Sequence, residues 1–131
     1  DGKYLEAATG PCLPKNSPPQ NKLLVWEIAT QRIVFETSVA EGWQYGISLS
    51  PDMRYLASGG SATEDAWFAQ RPNSDRSVRV WDIQKGVEAF RFQDYNSIPL
   101  VTAFTPDGME LLVGASDGSL RLWKLDPQKE K

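Results

Sequence analysis

One short pattern occurs three times along this chain: Leu23-Leu24-Val25-Trp26-Glu27, Ser77-Val78-Arg79-Val80-Trp81-Asp82 and Ser119-Leu120-Arg121-Leu122-Trp123-Lys124. A second pattern precedes two of them: Ser50-Pro51-Asp52-Met53-Arg54-Tyr55-Leu56-Ala57-Ser58-Gly59 and Thr105-Pro106-Asp107-Gly108-Met109-Glu110-Leu111-Leu112-Val113-Gly114. Asp1-Gly2-Lys3-Tyr4-Leu5-Glu6-Ala7-Ala8-Thr9-Gly10 is the same second pattern without its opening residues. The same interval separates Trp26 from Trp81 and Pro51 from Pro106, whereas Trp123 follows Trp81 more closely. The chain is therefore built from a fixed unit with a variable insertion between its halves. Internal repetition of this kind decides architecture before any local propensity does, because each unit buries its faces only against its neighbours.

The residues of the unit read as strands and tight turns. Val78-Arg79-Val80 alternates apolar and basic with period two, which is a strand with one buried face. Pro-Asp-Gly and Ser-Asp-Gly are turn chemistry, since Gly and short polar residues accept positive φ. Four strand types result. The inner strand (a) is expected at Tyr45 to Ser50 and Leu100 to Thr105. The second (b) falls at Tyr4 to Thr9, Tyr55 to Gly59 and Glu110 to Ala115. The third (c) falls at Lys22 to Ile28, Ser77 to Ile83 and Ser119 to Leu125. The outer (d) falls at Arg32 to Thr37 and Val87 to Phe92. No segment carries a helical period, so the fold class is all-β.

The Ser/Thr-Pro-Asp-Gly turn, the Ser-x-Asp-Gly turn and the Val/Leu-Arg-Val/Leu-Trp-Asp strand together resemble the WD-repeat family of β-propellers. The resemblance implies four-stranded antiparallel blades stacked radially around a channel. There are departures. Only Trp81-Asp82 is the literal Trp-Asp pair; Trp26-Glu27 and Trp123-Lys124 stand in the other copies. The family's Gly-His pair is absent, because the chain contains no histidine. The family's Asp-His-Ser/Thr-Trp hydrogen-bond network is thus incomplete. The resemblance assigns Trp26, Trp81, Trp123, Asp75, Asp117, Asp52 and Asp107 to structural repeat positions. The tryptophans should pack between sheets, joined by Tyr55, Leu56, Ile83, Phe104, Leu111, Leu122, Val25 and Ile28.

Strand order along the chain is b-c-d, a-b-c-d, a-b-c. This predicts a partial propeller: residues 1–38 form a blade without an inner strand, 39–92 a complete blade, 93–125 a blade without an outer strand, and 126–131 a charged tail. The expectation is a piece of a longer propeller, whose remaining blades would cover the open faces and edges. Ring closure by self-association is the weaker alternative, because a-b-c joined to b-c-d does not make a regular blade.

Composition narrows the function classes. The net charge is −3 and the basic residues are scattered, which argues against phosphate-driven nucleic-acid binding. No run of about 18 apolar residues suggests a membrane span. A single cysteine, Cys12, forms no internal disulfide, and fits a reducing, cytoplasmic compartment. Without histidine there is no Ser-His-Asp relay and no imidazole metal ligand; Glu64-Asp65 reads as a solvated loop. No cofactor or metal is expected, and the chain is read as a non-enzyme.

The informative departures are the two insertions between strands b and c, Gly10 to Asn21 and Gly60 to Ser74. In an antiparallel blade the b–c and d–a connections leave the same end. Both insertions, with Glu41-Gly42-Trp43-Gln44 and Gln93-Asp94-Tyr95-Asn96-Ser97, should therefore crowd one face, which in the family is a frequent binding face. Trp67, Phe68 and Arg71 are the residue mix of interaction hot spots. With Trp43 and Tyr95 they are the candidate partner-binding residues. The expected function is a non-catalytic scaffold for other proteins. The alternative is a regulatory or substrate-docking propeller attached to an enzyme domain such as a kinase or protease.

Overall fold

A computed structural model describes residues 2–9, 21–39, 43–61, 76–93 and 97–131. They form ten strands: β1 (Tyr4–Ala8), β2 (Lys22–Glu27), β3 (Arg32–Ser38), β4 (Trp43–Leu49), β5 (Tyr55–Ser61), β6 (Val78–Asp82), β7 (Val87–Phe92), β8 (Pro99–Phe104), β9 (Glu110–Ala115) and β10 (Leu120–Lys124). A short 3-10 turn, Pro127–Lys129, follows. The strands pair antiparallel in three sheets, β1-β2-β3, β4-β5-β6-β7 and β8-β9-β10. This is the b-c-d, a-b-c-d, a-b-c order, and the architecture is that of an incomplete propeller.

The repeat extends to its irregularities. The c–d pairs break register between Val25 and Trp26 and again between Val80 and Trp81. The a–b pairs break register between Gln44 and Gly46 and between Pro99 and Val101. A bulge adds local twist and re-aims the side chains beyond it. Strand alternation puts Trp26 and Trp81 on the face opposite the preceding valine, and the bulge sits at that step. Left-handed backbone also recurs in register: Met53 and Gly108 in the a–b turns, Gln31 and Gly86 in the c–d turns.

The sheets stack face to face in chain order. One face of the middle sheet carries Tyr55, Ala57, Val78, Val80, Ala89 and Phe90, and packs on Leu111, Val113 and Ala115 of the last sheet. Its other face carries Leu56 and Trp81, and packs on Leu23, Val25 and Phe35 of the first. Each repeat residue is thus buried or exposed according to whether its face has a neighbour. Trp81 faces the first sheet and is 7% exposed; Trp26, at the same repeat position, is 41% exposed. Trp123 faces the middle sheet, where it stacks on Phe92 at 4.6 Å between ring centroids.

Several burial expectations need correction on this account. Trp26 and Ile28 on the first sheet and Leu122 on the last are exposed rather than core. Among the described residues nothing covers those outward faces. Ile83 and Phe104 are partly buried at the rims of the two clusters. The indole of Trp81 donates to Ser58 Oγ at 3.3 Å. Ala7 and Val113 occupy the corresponding positions in the other sheets and carry no hydroxyl.

The inner strands β4 and β8 meet at Gly46. A Cβ there would lie 2.9 Å from both Thr102 N and Val101 Cα, and these backbone atoms cannot rotate away. Ser48 Oγ donates to Thr102 Oγ1 at 3.1 Å across the same contact. Glycine at this bulge therefore lets the two inner strands approach.

Replacing Trp81 with Ala should cost about 3–5 kcal/mol in chemical denaturation, and Trp26→Ala less than half of that. Equal costs would contradict the stacking order. Gly46→Ala should destabilise by about 1–3 kcal/mol, because the added methyl overpacks a backbone contact; an unchanged melting temperature would refute the close approach.

Candidate interaction surfaces

The pairing registers place the strand ends that flank the b–c and d–a connections at one end of each sheet. Ala8 pairs with Leu23 and Lys22 with Ser38. Trp43 pairs with Ser61, Gly59 with Val78, and Val78 with Phe92. Pro99 pairs with Ala115 and Gly114 with Leu120. The ends coincide between sheets: a Cβ on Gly59 would touch Pro99 at this end, and one on Gly108 would lie near Pro51 at the other. Call these the loop end and the turn end.

Hydrogen bonds pin the roots of the loop end. Thr9 N donates to Lys22 O at 2.9 Å, and Lys22 N donates to Thr9 Oγ1 at 2.9 Å, closing the base of the first insertion. Val39 N donates to Asn21 O. Ile98 N donates to Ser116 Oγ at 3.0 Å, tying the second d–a connection to the b–c turn of the last sheet. Trp43 opens β4 at this end. Trp67, Phe68, Arg71, Tyr95 and Asp75 lie outside the described residues, as does Cys12.

Three aspartates share one role, Asp52 and Asp107 at the turn end and Asp117 at the loop end. Asp52 Oδ1 accepts from Arg54 N at 3.1 Å and from the Ser50 hydroxyl. Asp107 Oδ1 accepts from Met109 N at 3.0 Å and from the Thr105 hydroxyl. Asp117 Oδ1, in the b–c turn, accepts from Ser119 N at 2.9 Å. Such bonds hold a turn closed with a side chain in place of a backbone acceptor. Arg79 lies 3.8 Å from Glu88 on the adjacent strand, a cross-strand pair.

The charged tail, residues 126–131, returns across the middle sheet. Asp126 caps the 3-10 turn through Gln128 N, and Leu125 is buried. Lys131 N donates to Ala89 O at 2.9 Å on the outer strand, and Lys131 Nζ lies 2.8 Å from Glu88. The carboxylate of Glu130, 11% exposed, takes three donors: Arg54 Nη2 and the Tyr55 hydroxyl on Oε1, and Lys85 Nζ on Oε2 at 2.7 Å. No local pattern announces this site, because Arg54, Lys85 and Glu130 come from three separate turns. The only hint was an isolated acid between two lysines at 129 and 131.

The electrostatics follow the geometry. Hydrogen bonds from Lys85 and then Tyr55 hold the Glu130 carboxyl below its usual range. The bond to Glu130 raises Lys85 in turn. Burial, reinforced by the bond to Glu130, pushes the Tyr55 phenol up. For Glu88, burial acts upward, but the bonds from Arg91 and Lys131 outweigh it and the net shift is down. Among the described residues no cluster of three or more His, Cys, Asp or Glu is placed to hold a metal ion, and no helix is long and apolar enough to cross a membrane.

Comparison with known proteins matches residues 34–82 and 91–124 to the WD domain, G-beta repeat, of the WD40 family. Periodic tryptophan protein 2 of Arabidopsis thaliana is 33% identical over 105 residues, which is 78% of this chain and 10% of that protein. The Neurospora crassa periodic tryptophan protein 2 homolog is 24% identical over 107 residues, 82% of this chain and 10% of that protein. Protein groucho of Drosophila melanogaster is 27% identical over 107 residues, 80% of this chain and 13% of that protein. The chain thus spans about a tenth of the length of these relatives.

Glu130 and Glu88 titrate below their ordinary value of 4.5, and Asp52 and Asp107 below 3.8. Below those values the unfolded chain binds more protons, so stability is full above about pH 5 and falls as pH drops through the depressed folded values. Glu130→Gln should lower the melting temperature near neutral pH, and the difference from wild type should vanish in acid. A difference that persists unchanged at low pH would show that the carboxylate charge is not what holds the tail.

Proposed function

Because this chain belongs to the WD40-repeat family, we propose that it is a non-catalytic platform on which other proteins assemble, engaged through the loop end of its sheets. Residues 1–38, 39–92 and 93–125 are its three repeat units, the first without an inner strand and the last without an outer one. Neighbouring blades of a longer chain are the natural cover for its outward apolar faces, in preference to a second copy. Nucleic acid and membrane are not among its partners on this reading, and its setting is cytoplasmic.

The pairing register carries the reading. It puts the strand ends that flank the two b–c insertions and the two d–a connections at one end of the stack, which supports a shared loop surface there. Binding residues presented on loops by a rigid scaffold are the common arrangement of recognition surfaces. Trp67, Phe68 and Arg71 are the large amphipathic side chains of the kind that dominates interface energetics, and Trp43 and Tyr95 are the further candidates. The alternative, a docking propeller serving an attached kinase or protease, would be recognised by such a domain in the parent reading frame.

The double change Trp67→Ala with Phe68→Ala should leave the melting temperature unchanged and weaken partner binding by about tenfold or more. Quantitative affinity capture, followed by titration of the purified partner, reads the effect. Gln84→Ala at the turn end serves as the control. Loss of cooperative folding in the double variant would assign these aromatics to packing. Unaltered capture would remove the loop end from consideration.

A further inference from the structure

The Glu130 contact has the construction of a receptor with its ligand in place. Its three donors are held by groups other than Glu130. The Arg54 guanidinium lies 4.7 Å from the centroid of the Tyr55 ring and 3.7 Å from Asp82 Oδ2. Lys85 Nζ lies 3.5 Å from the same carboxylate oxygen. Asp82 is 2% exposed and is fixed from its other oxygen by Lys85 N at 2.9 Å. Tyr55 is buried and packs edge-on against Phe90 at 5.8 Å. With the tail removed, two cations and a phenolic donor would face one internal acid, leaving a cleft with one uncompensated positive charge. A preorganised group of donors of this kind binds an anion without the entropic cost of assembling it.

The tail also shows what shape of ligand fits. Glu130 enters the Arg54–Tyr55–Lys85 cleft. The next residue places its ammonium on Glu88, 15% exposed, and its backbone N–H on Ala89 O. Three residues before the acid, Pro127 lines a cavity of about 760 Å³ with Phe90, Phe92, Met109 and Leu125. Recognition thus combines an apolar side chain, a carboxylate three residues later, and a cation immediately after it.

We infer that the turn end of the middle sheet is a second binding site, for a partner's peptide segment carrying an acidic residue followed directly by a basic one, and that this chain's own residues 126–131 occupy it in cis. A partner enters by displacing the tail. The tethered tail competes at the millimolar effective concentrations typical of short linkers, so binding in trans is masked until the tail is released. The site stands at the turn end and does not depend on the loop-end reading.

The test uses the full-length protein that carries this chain and a fluorescein-labelled peptide of sequence Leu-Asp-Pro-Gln-Lys-Glu-Lys, followed by fluorescence anisotropy. The variant Glu130→Ala with Lys131→Ala should bind the peptide about tenfold or more tightly than wild type does. Adding Arg54→Ala, or replacing the peptide's Glu with Gln, should abolish that gain. Circular dichroism and the thermal transition report folding. If the double variant does not fold, Glu130→Gln, which keeps the Lys131 contacts, takes its place. Absence of binding to a folded tail variant would show that the tail is only a structural strap and overturn the proposal. So would binding indifferent to Arg54 and to the peptide's carboxylate.

Discussion

Everything in this structure depends on the stacking of one sheet face on the next. A twisted sheet of short strands has two apolar sides here, and neither is satisfied within its own sheet. Val78 and Val80 need Leu111 and Val113; Leu56 and Trp81 need Leu23 and Val25. Burial of apolar area is the dominant favourable contribution to such a fold. It accrues only between repeats, which is why the middle sheet is buried on both faces while, among the described residues, the first and last each keep one face uncovered.

That dependence explains why one sequence position behaves in three ways. Trp81 and Trp123 both face the preceding sheet, and Trp26 holds the same strand position. Trp81 finds a sheet there and a hydroxyl on Ser58; Trp123 finds a sheet and an aromatic ring; Trp26 finds neither among the described residues. The chemistry of the residue is constant. Its energetic contribution is set by its neighbour, so repeat identity alone is a poor guide to the importance of a given copy.

The two ends of the stack offer different kinds of surface. At the loop end the strands close into short hydrogen-bonded roots, such as Thr9 with Lys22 and Ile98 with Ser116, from which the connections depart. At the turn end Asx-type turns pack against one another, and charged side chains between them form a compact network around Asp82 and Glu130.

The amino-acid sequence by itself determined the strand types, their order and nearly all their limits. Period-two alternation and Pro-Asp-Gly turns are local, and repetition multiplied the signal until single ambiguities cancelled. It also determined the turn roles of Asp52, Asp107 and Asp117, because an Asx turn spans only two residues of chain. Only the tertiary structure decided which copies are core, since burial belongs to the stack and not to the strand: Trp26, Ile28 and Leu122 match the pattern and still face outward. Only it revealed that Glu130 returns to meet Arg54, Tyr55 and Lys85. An ion cluster drawn from three distant turns leaves no periodicity to read, because its members are adjacent only after the chain has folded.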